Sequence, residues 1–172
     1  MAGLPWGGRG WRAARAGVAG LIVPDLPIDE GEDIRAHARR AGVAMVPLAA
    51  PTTTDARLRA IGRGADGFVY CVSVTGVTGG EVAVGDELRG FLARARRAID
   101  APLAVGFGVR TPEHVAAIGE IADGVIVASA LIRLIEGAPD DAAAEAALAG
   151  FAERSVEALR GLARRESAGA GR

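Results

Sequence analysis

From residue 20 onward, short apolar runs alternate with stretches whose apolar residues recur every three or four positions. Leu21, Ile22 and Val23 form the first run, stopped by Pro24, Asp25, Leu26 and Pro27. A helix is expected to follow, with Asp29 as its N-cap and Glu30, Glu32 and Asp33 in the first turn, where carboxylates suit the helix dipole. It should end near Arg40, with Gly42 just past the end in the left-handed role. Residues 43–49 read as a strand, and Thr52, Thr53, Thr54 and Asp55 cap a helix reaching about Arg63, with Asp55 counted among the caps. A strand over 68–73 precedes a helix within 85–99, whose Leu88, Phe91, Leu92 and Ala95 share one face. A strand over 103–109 follows, then a helix opened by Thr111 as cap with Pro112 in its first turn. A last strand over 124–128, a short helix near 131–136 and an Ala-rich amphipathic helix over about 141–164 complete the pattern.

Strict alternation with short links predicts parallel strands, right-handed crossovers and helices packed outside. The strands are nearly continuous apolar runs, as expected where both faces are buried. Five strands in this order fit either a doubly wound sheet or part of a (β/α)8 barrel. A complete barrel takes about 250 residues, so on that reading the chain is short by about three βα units.

Composition narrows the function. The 172 residues suffice for one domain with a sizeable core, and 50% hydrophobic content argues against disorder over most of the length. A formal net charge of −1 gives no footprint for nucleic acid or an anionic membrane. One cysteine excludes an internal disulfide framework, and two histidines make a His-rich metal site a poor reading. No apolar run reaches the roughly 18 residues that span a bilayer, and the expected location is the cytoplasm. Residues 1–13 show no periodicity and are expected to be disordered, with a short basic helix candidate over 11–16; 166–172 read as a disordered tail.

The candidate chemistry lies where strands end. Phe68, Val69, Tyr70, Cys71 and Val72 run into Ser73, Val74, Thr75, Gly76, Val77, Thr78, Gly79 and Gly80, an apolar strand delivering a loop whose N–H groups can approach a phosphate. The next two strands also end in small residues, at Gly106 and Gly108 and at Ala128 and Ser129. Three such ends side by side suggest one phosphate-shaped pocket.

Four motifs then carry a resemblance. They are Gly20 to Pro27 (GLIVPDLP), Leu48 to Thr53 (LAAPTT), Phe68 to Gly79, and Val105 to Val109 (VGFGV). In this order and spacing the chain resembles the tryptophan synthase alpha chain family from about residue 14 to 164, giving a barrel domain over 14–165. The resemblance implies a partial (β/α)8 TIM barrel of about strands four to eight. The family cleaves indole-3-glycerol phosphate to indole and glyceraldehyde 3-phosphate, a lyase step of tryptophan biosynthesis. Indole passes to a beta subunit that carries the pyridoxal phosphate, so no cofactor is expected here. The implied partners are that beta subunit and a small phosphate ester, with no nucleic acid and no membrane.

Residue roles follow by resemblance. Gly79, Gly108, Ala128 and Ser129 match the phosphate clamp, with Ala128 standing where many members have glycine. Gly106 is counted beside them, against the alternative that Gly106 and Gly108 merely give room in a crowded barrel interior. Tyr70 and Phe107 match aromatics on the substrate side, against ordinary core positions. Thr78 matches a loop residue that joins a catalytic aspartate when the lid closes. The family's catalytic Glu and Asp belong to the second strand and the loop after it. Residues 1–19 contain no Asp or Glu, so no residue here is assigned as catalytic. The expectation is an alpha chain whose sequence starts late or in a shifted frame, or else a non-catalytic phosphate- or partner-binding half barrel. A further possibility is exposed core and open edges that aggregate or pair two fragments. Pro24, Asp25, Leu26 and Pro27 match the surface toward the beta subunit; Asp25 could instead be a turn aspartate bonding its own backbone. Cys71 reads as a small core residue, and His37 and His114 as helix residues without chemistry.

Overall fold

The computed structural model describes residues 12–72, 84–106 and 108–169. After a short helix, α1 (Arg12–Arg15), strands and helices alternate: β1 (Gly20–Ile22), α2 (Glu32–Arg40), β2 (Ala44–Val46), β3 (Leu48–Ala49), α3 (Asp55–Gly64) and β4 (Val69–Val72). Then come α4 (Asp86–Arg96), β5 (Leu103–Gly106), α5 (Pro112–Gly119), β6 (Gly124–Ile126), α6 (Ser129–Glu136) and α7 (Asp141–Gly169). All pairings are parallel, β1 with β2 and then β3-β4-β5-β6 in sequence order.

The strand expected over 43–49 is therefore two segments separated by Pro47. Residues of a strand point their N–H and C=O groups alternately to either side. Ala44 N–H bonds Ala19 C=O toward β1, while Pro47 C=O accepts from Tyr70 N–H toward β4. Proline has no N–H to return to β4, so the ladder lapses for one residue although the chain runs on. The strand positions are five, joined into one arc.

The helices occupy one face of that arc. Val69, Cys71, Leu103 and Val105 are fully buried against Leu58 and Ile61 of α3, Phe91 and Leu92 of α4, and Val115 and Ile118 of α5. A smaller cluster closes the first unit, with Met45 and Val43 against Ala38 of α2 and the half-buried Leu21 and Ile34. The opposite face carries Leu48, Tyr70 and Ala104 in register. A doubly wound sheet reverses its strand order and takes helices on both faces. Sequential order with helices on one face is instead the wall of a barrel, and this settles the alternative left open by the pattern.

Two expected caps are corrected. Helix α2 begins at Glu32 behind Gly31, whose φ of 70° is left-handed, so Asp29 lies outside the helix and pairs with Arg57 at 2.6 Å instead. Thr54, not Asp55, caps α3, its hydroxyl accepting from Arg57 N–H, which leaves Asp55 as the first helical residue. Thr111 caps α5 as expected, accepting from His114 N–H. Gly42 has a φ of 71°, and α7 runs beyond 164 to Gly169.

Candidate functional site

The C-terminal ends of β4, β5 and β6 meet through register. Gly106 pairs with Ile126, which puts the exits of β5 and β6 side by side. Beyond β5 the backbone turns through Gly108 at φ 73°, a left-handed conformation that strains any residue with a side chain. Beyond β6 it passes Ala128 at φ −131° and enters α6 at Ser129. The first bond into α6 runs from Ile132 N–H to Ala128 C=O at 3.0 Å. The N–H groups of Ser129, Ala130 and Leu131 thus have no acceptor within the helix. Ala128 and Ser129 are exposed at this end, while Ala130 is buried.

Tyr70 roofs the same strand ends from β4. A Cβ placed on Gly106 would run into the Tyr70 hydroxyl, 2.7 Å from its Cζ and 3.1 Å from Ile126 Cβ. Glycine at 106 is what lets the ring lie across β5, so the residue is fixed by packing against Tyr70. The structure brings Tyr70, Gly106, Gly108, Ala128 and Ser129 to one end of the sheet. Thr78, Gly79 and Phe107 lie outside the described residues.

Pro24, Asp25, Leu26 and Pro27 sit apart from this group, at the exit of β1. Pro24, Leu26 and Pro27 line a cleft of about 480 Å³ whose other wall includes Leu48, Thr52, Thr53 and Thr54. Asp25 is exposed, and neither the bond to its own backbone nor any other side-chain partner is present among the described residues.

Three arginines that the sequence reading passed over hold these loops. Arg35 is only 5% exposed and donates to the carbonyls of Pro27 (3.3 Å), Ile28 and Glu30, with the Glu32 carboxylate at 3.5 Å. One guanidinium thus gathers three carbonyls of the loop after β1, adding to the Glu30 N–H that reaches Pro27 C=O at 3.1 Å. Arg94 of α4 donates to Pro51 C=O (2.9 Å) and Thr53 C=O (3.1 Å). Arg57 reaches Asp29, tying α3 to the loop before α2. The signal available in the sequence was Arg35 itself, placed between Ile34 and Ala38 on the face of α2 that packs inward. At the other end of the sheet, Arg96 pairs with Asp123, whose carboxylate accepts from Leu103 N–H at 2.8 Å. That contact belongs to the end of a barrel that serves stability.

Titration separates inert from responsive groups. Burial pushes the Cys71 thiol up to about 12, with Arg96 lowering and Asp123 raising it slightly, so it is no nucleophile near neutrality. The Thr111 hydroxyl and its own backbone N–H hold the Glu113 carboxyl below its usual range. Among the described residues no group of three or more His, Cys, Asp or Glu could hold a metal ion, and no helix is long and apolar enough to cross a membrane.

Comparison with known proteins names the architecture. The family model for the tryptophan synthase alpha chain matches residues 11–160. The chain is 52% identical over 128 residues to the tryptophan synthase alpha chain of Gluconacetobacter diazotrophicus, covering 74% of this chain and 47% of that one. It is 45% identical over 125 residues to that of Methanocaldococcus jannaschii, covering 73% and 44%. A solved chain of the tryptophan synthase a2b2 complex from Pyrococcus furiosus superimposes with a TM-score of 0.75 at 38% identity, covering 84% of this chain and 58% of the other. The chain spans about half the length of the curated relatives it matches. With the motifs, the sequential parallel arc and these matches in agreement, the chain belongs to the tryptophan synthase alpha chain family.

Proposed function

We propose that this chain forms the phosphate-binding side of an alpha-chain lyase that cleaves indole-3-glycerol phosphate to indole and glyceraldehyde 3-phosphate in tryptophan biosynthesis. The observation that carries the reading is that β5 and β6 exit side by side, one into the left-handed Gly108 turn and the other into the N-terminus of α6 at Ser129. Unpaired N–H groups and the positive end of a helix dipole suit a phosphate dianion. Gly79 and Thr78 would close over it from the loop after β4, and Phe107 and Tyr70 would flank the indole. Ala128 in place of the glycine found in many members would keep the backbone slightly further from the anion.

The chemistry needs more than anchoring. Breaking the carbon–carbon bond of a retro-aldol reaction takes one carboxyl for proton transfer at the glycerol side chain and another to stabilise the protonated indole ring. By the family resemblance these belong to the second barrel strand and its loop, and residues 1–19 carry no acid to replace them. The polypeptide alone would therefore anchor phosphate without turnover. No cofactor is required of it, since pyridoxal phosphate belongs to the beta subunit. The exposed Pro24 and Asp25, on the loop held by Arg35, would face that subunit, and the setting would be the cytoplasm.

Isothermal titration with glyceraldehyde 3-phosphate tests the anchor. Binding that is weakened when Gly108 is replaced by Val supports it. No heat at millimolar ligand, or a Gly108→Val variant that binds as well as the parent, overturns it. Turnover of indole-3-glycerol phosphate above a heat-killed control would overturn the assignment of the missing carboxyls.

A further inference from the structure

We infer that Asp66 is a modification site, where the folded chain converts aspartate to isoaspartate through attack by the neighbouring Gly67 nitrogen. The same tripeptide occurs twice, as Ala65-Asp66-Gly67 and Ala122-Asp123-Gly124. Both copies lie between a helix and the strand it feeds, the first between α3 and β4 and the second between α5 and β6. Local sequence therefore treats the two aspartates alike. Their surroundings do not.

Asp123 is held from every side. Its two carboxylate oxygens accept from Arg96 at 3.1–3.2 Å, and one of them also accepts from Leu103 N–H at 2.8 Å. Its own N–H reaches Leu103 C=O at 2.9 Å. Gly124 already belongs to β6 and pairs with Ala104, and a Cβ there would lie 3.3 Å from Ala104 Cβ. Asp66 has none of these restraints. Its Oδ2 is buried without a hydrogen-bond partner, and among the described residues no donor reaches the carboxylate. Gly67 is exposed with a φ of 86°, and a Cβ added to it would meet nothing within 4 Å. Among the described residues its N–H donates to no backbone carbonyl. Carboxyl and amide nitrogen are both uncommitted, and the missing side chain leaves room for one to approach the other.

The chemistry follows from that juxtaposition. The Gly67 nitrogen attacks Asp66 Cγ and an N–Cγ bond forms. The carboxyl, having taken a proton from solvent, loses OH, which departs with the amide proton as water. The resulting five-membered succinimide is neutral, so its formation removes a buried carboxylate oxygen that nothing compensates. Water then opens the ring. Attack at Cγ restores aspartate. Attack at the Asp66 carbonyl carbon breaks its bond to the Gly67 nitrogen, so the main chain now runs through Cγ and the old carbonyl becomes the free carboxylate. No oxidant, reductant or cofactor enters. The product adds one main-chain atom just ahead of β4, the strand that carries Tyr70. At Asp123 the same attack must first release charge-assisted hydrogen bonds. The inference rests on the α3–β4 link and stands separately from the phosphate anchor.

The test incubates the full 172-residue chain in mildly acidic buffer at physiological temperature, with and without denaturing urea. Isoaspartate is assigned to each site by peptide mass spectrometry and counted by methyl transfer from an isoaspartate-specific carboxyl methyltransferase. In the folded chain it should accumulate at least about ten-fold faster at Asp66 than at Asp123, the ratio that a modest difference in barrier already produces. In urea the two rates should converge, because the difference belongs to the fold. Arg96→Gln takes the guanidinium from Asp123 and should raise the rate there while leaving Asp66 unchanged. Equal rates in the folded chain, faster reaction at Asp123, a difference that persists in urea, or an Arg96→Gln variant with no gain at Asp123 would each overturn the inference.

Discussion

Gly62 offers a test of the packing that sets the loops, because two physical effects oppose each other there. It lies inside α3, where replacing glycine with alanine ordinarily stabilises a helix by about 0.5–1 kcal/mol. A Cβ at this position, however, would overlap the carbonyl oxygen of Ala98 and lie 3.2 Å from Ile99 Cα and 3.3 Å from the Ala98 carbonyl carbon. All three atoms are backbone at the end of the α4 unit, and Ile99 is itself only 4% exposed. No rotamer change relieves the clash, so α3 and α4 must separate. Overpacking of this kind costs about 1–3 kcal/mol, which exceeds the propensity gain. Gly62→Ala should therefore be net destabilising by roughly 1–2 kcal/mol. The same separation would stretch the bonds from Arg94 on α4 to Pro51 and Thr53 before α3. Gly90 is the matched control: it is exposed on α4 with nothing within 4 Å of an added Cβ. Gly90→Ala should stabilise by about 0.5–1 kcal/mol. Urea denaturation followed by circular dichroism measures both, with an unchanged m-value as the check on two-state behaviour. A Gly62→Ala variant as stable as the parent would refute the claim that close α3–α4 approach requires glycine.

Other expectations are briefer. Removing the Arg35 guanidinium takes the side-chain donor from the Ile28 and Glu30 carbonyls of the loop after β1; Arg35→Ala should cost about 1–3 kcal/mol, and Arg35→Lys should recover only part of it, since one ammonium cannot reproduce the fork. Denaturation midpoints and faster amide exchange at 27–31 would show this. Glu113 is depressed in the folded chain, so its contribution is present above its unfolded value near 4.3 and is lost as pH falls through the lower folded value. Thr111→Val should raise the Glu113 pKa in a carbon-detected NMR titration and flatten that acid-side loss; an unmoved pKa would rule out the hydroxyl as its cause. Cys71 should resist a disulfide reagent at pH 8 until the chain is denatured. Its raised pKa means that stability is full below the unfolded thiol value near 8.5 and declines as pH rises toward the folded value of about 12. Rapid labelling of native chain would show the pocket of Cys71 to be open.

The sequence by itself determined the alternation of strands and helices, because apolar periodicity, Gly42 and the Thr111–Pro112 start are local signals that need no distant partner. It also determined the family, since four motifs in order survive without knowledge of contacts. Local signals misplaced what depends on competing local options. Asp29 had the composition of a cap, but the left-handed turn at Gly31 started α2 two residues beyond Glu30 and released Asp29 to Arg57. Pro47 looked like an interior strand residue, and only the alternation of bonding sides showed that β1 pairs before it and β4 after it. Tertiary structure alone decided that the helices share one face, that Gly106 yields to the Tyr70 ring, and that Arg35 turns inward to hold loop carbonyls. These facts join residues tens of positions apart or bury a charge against expectation. A linear pattern records what each residue prefers, whereas the fold decides which preferences are met.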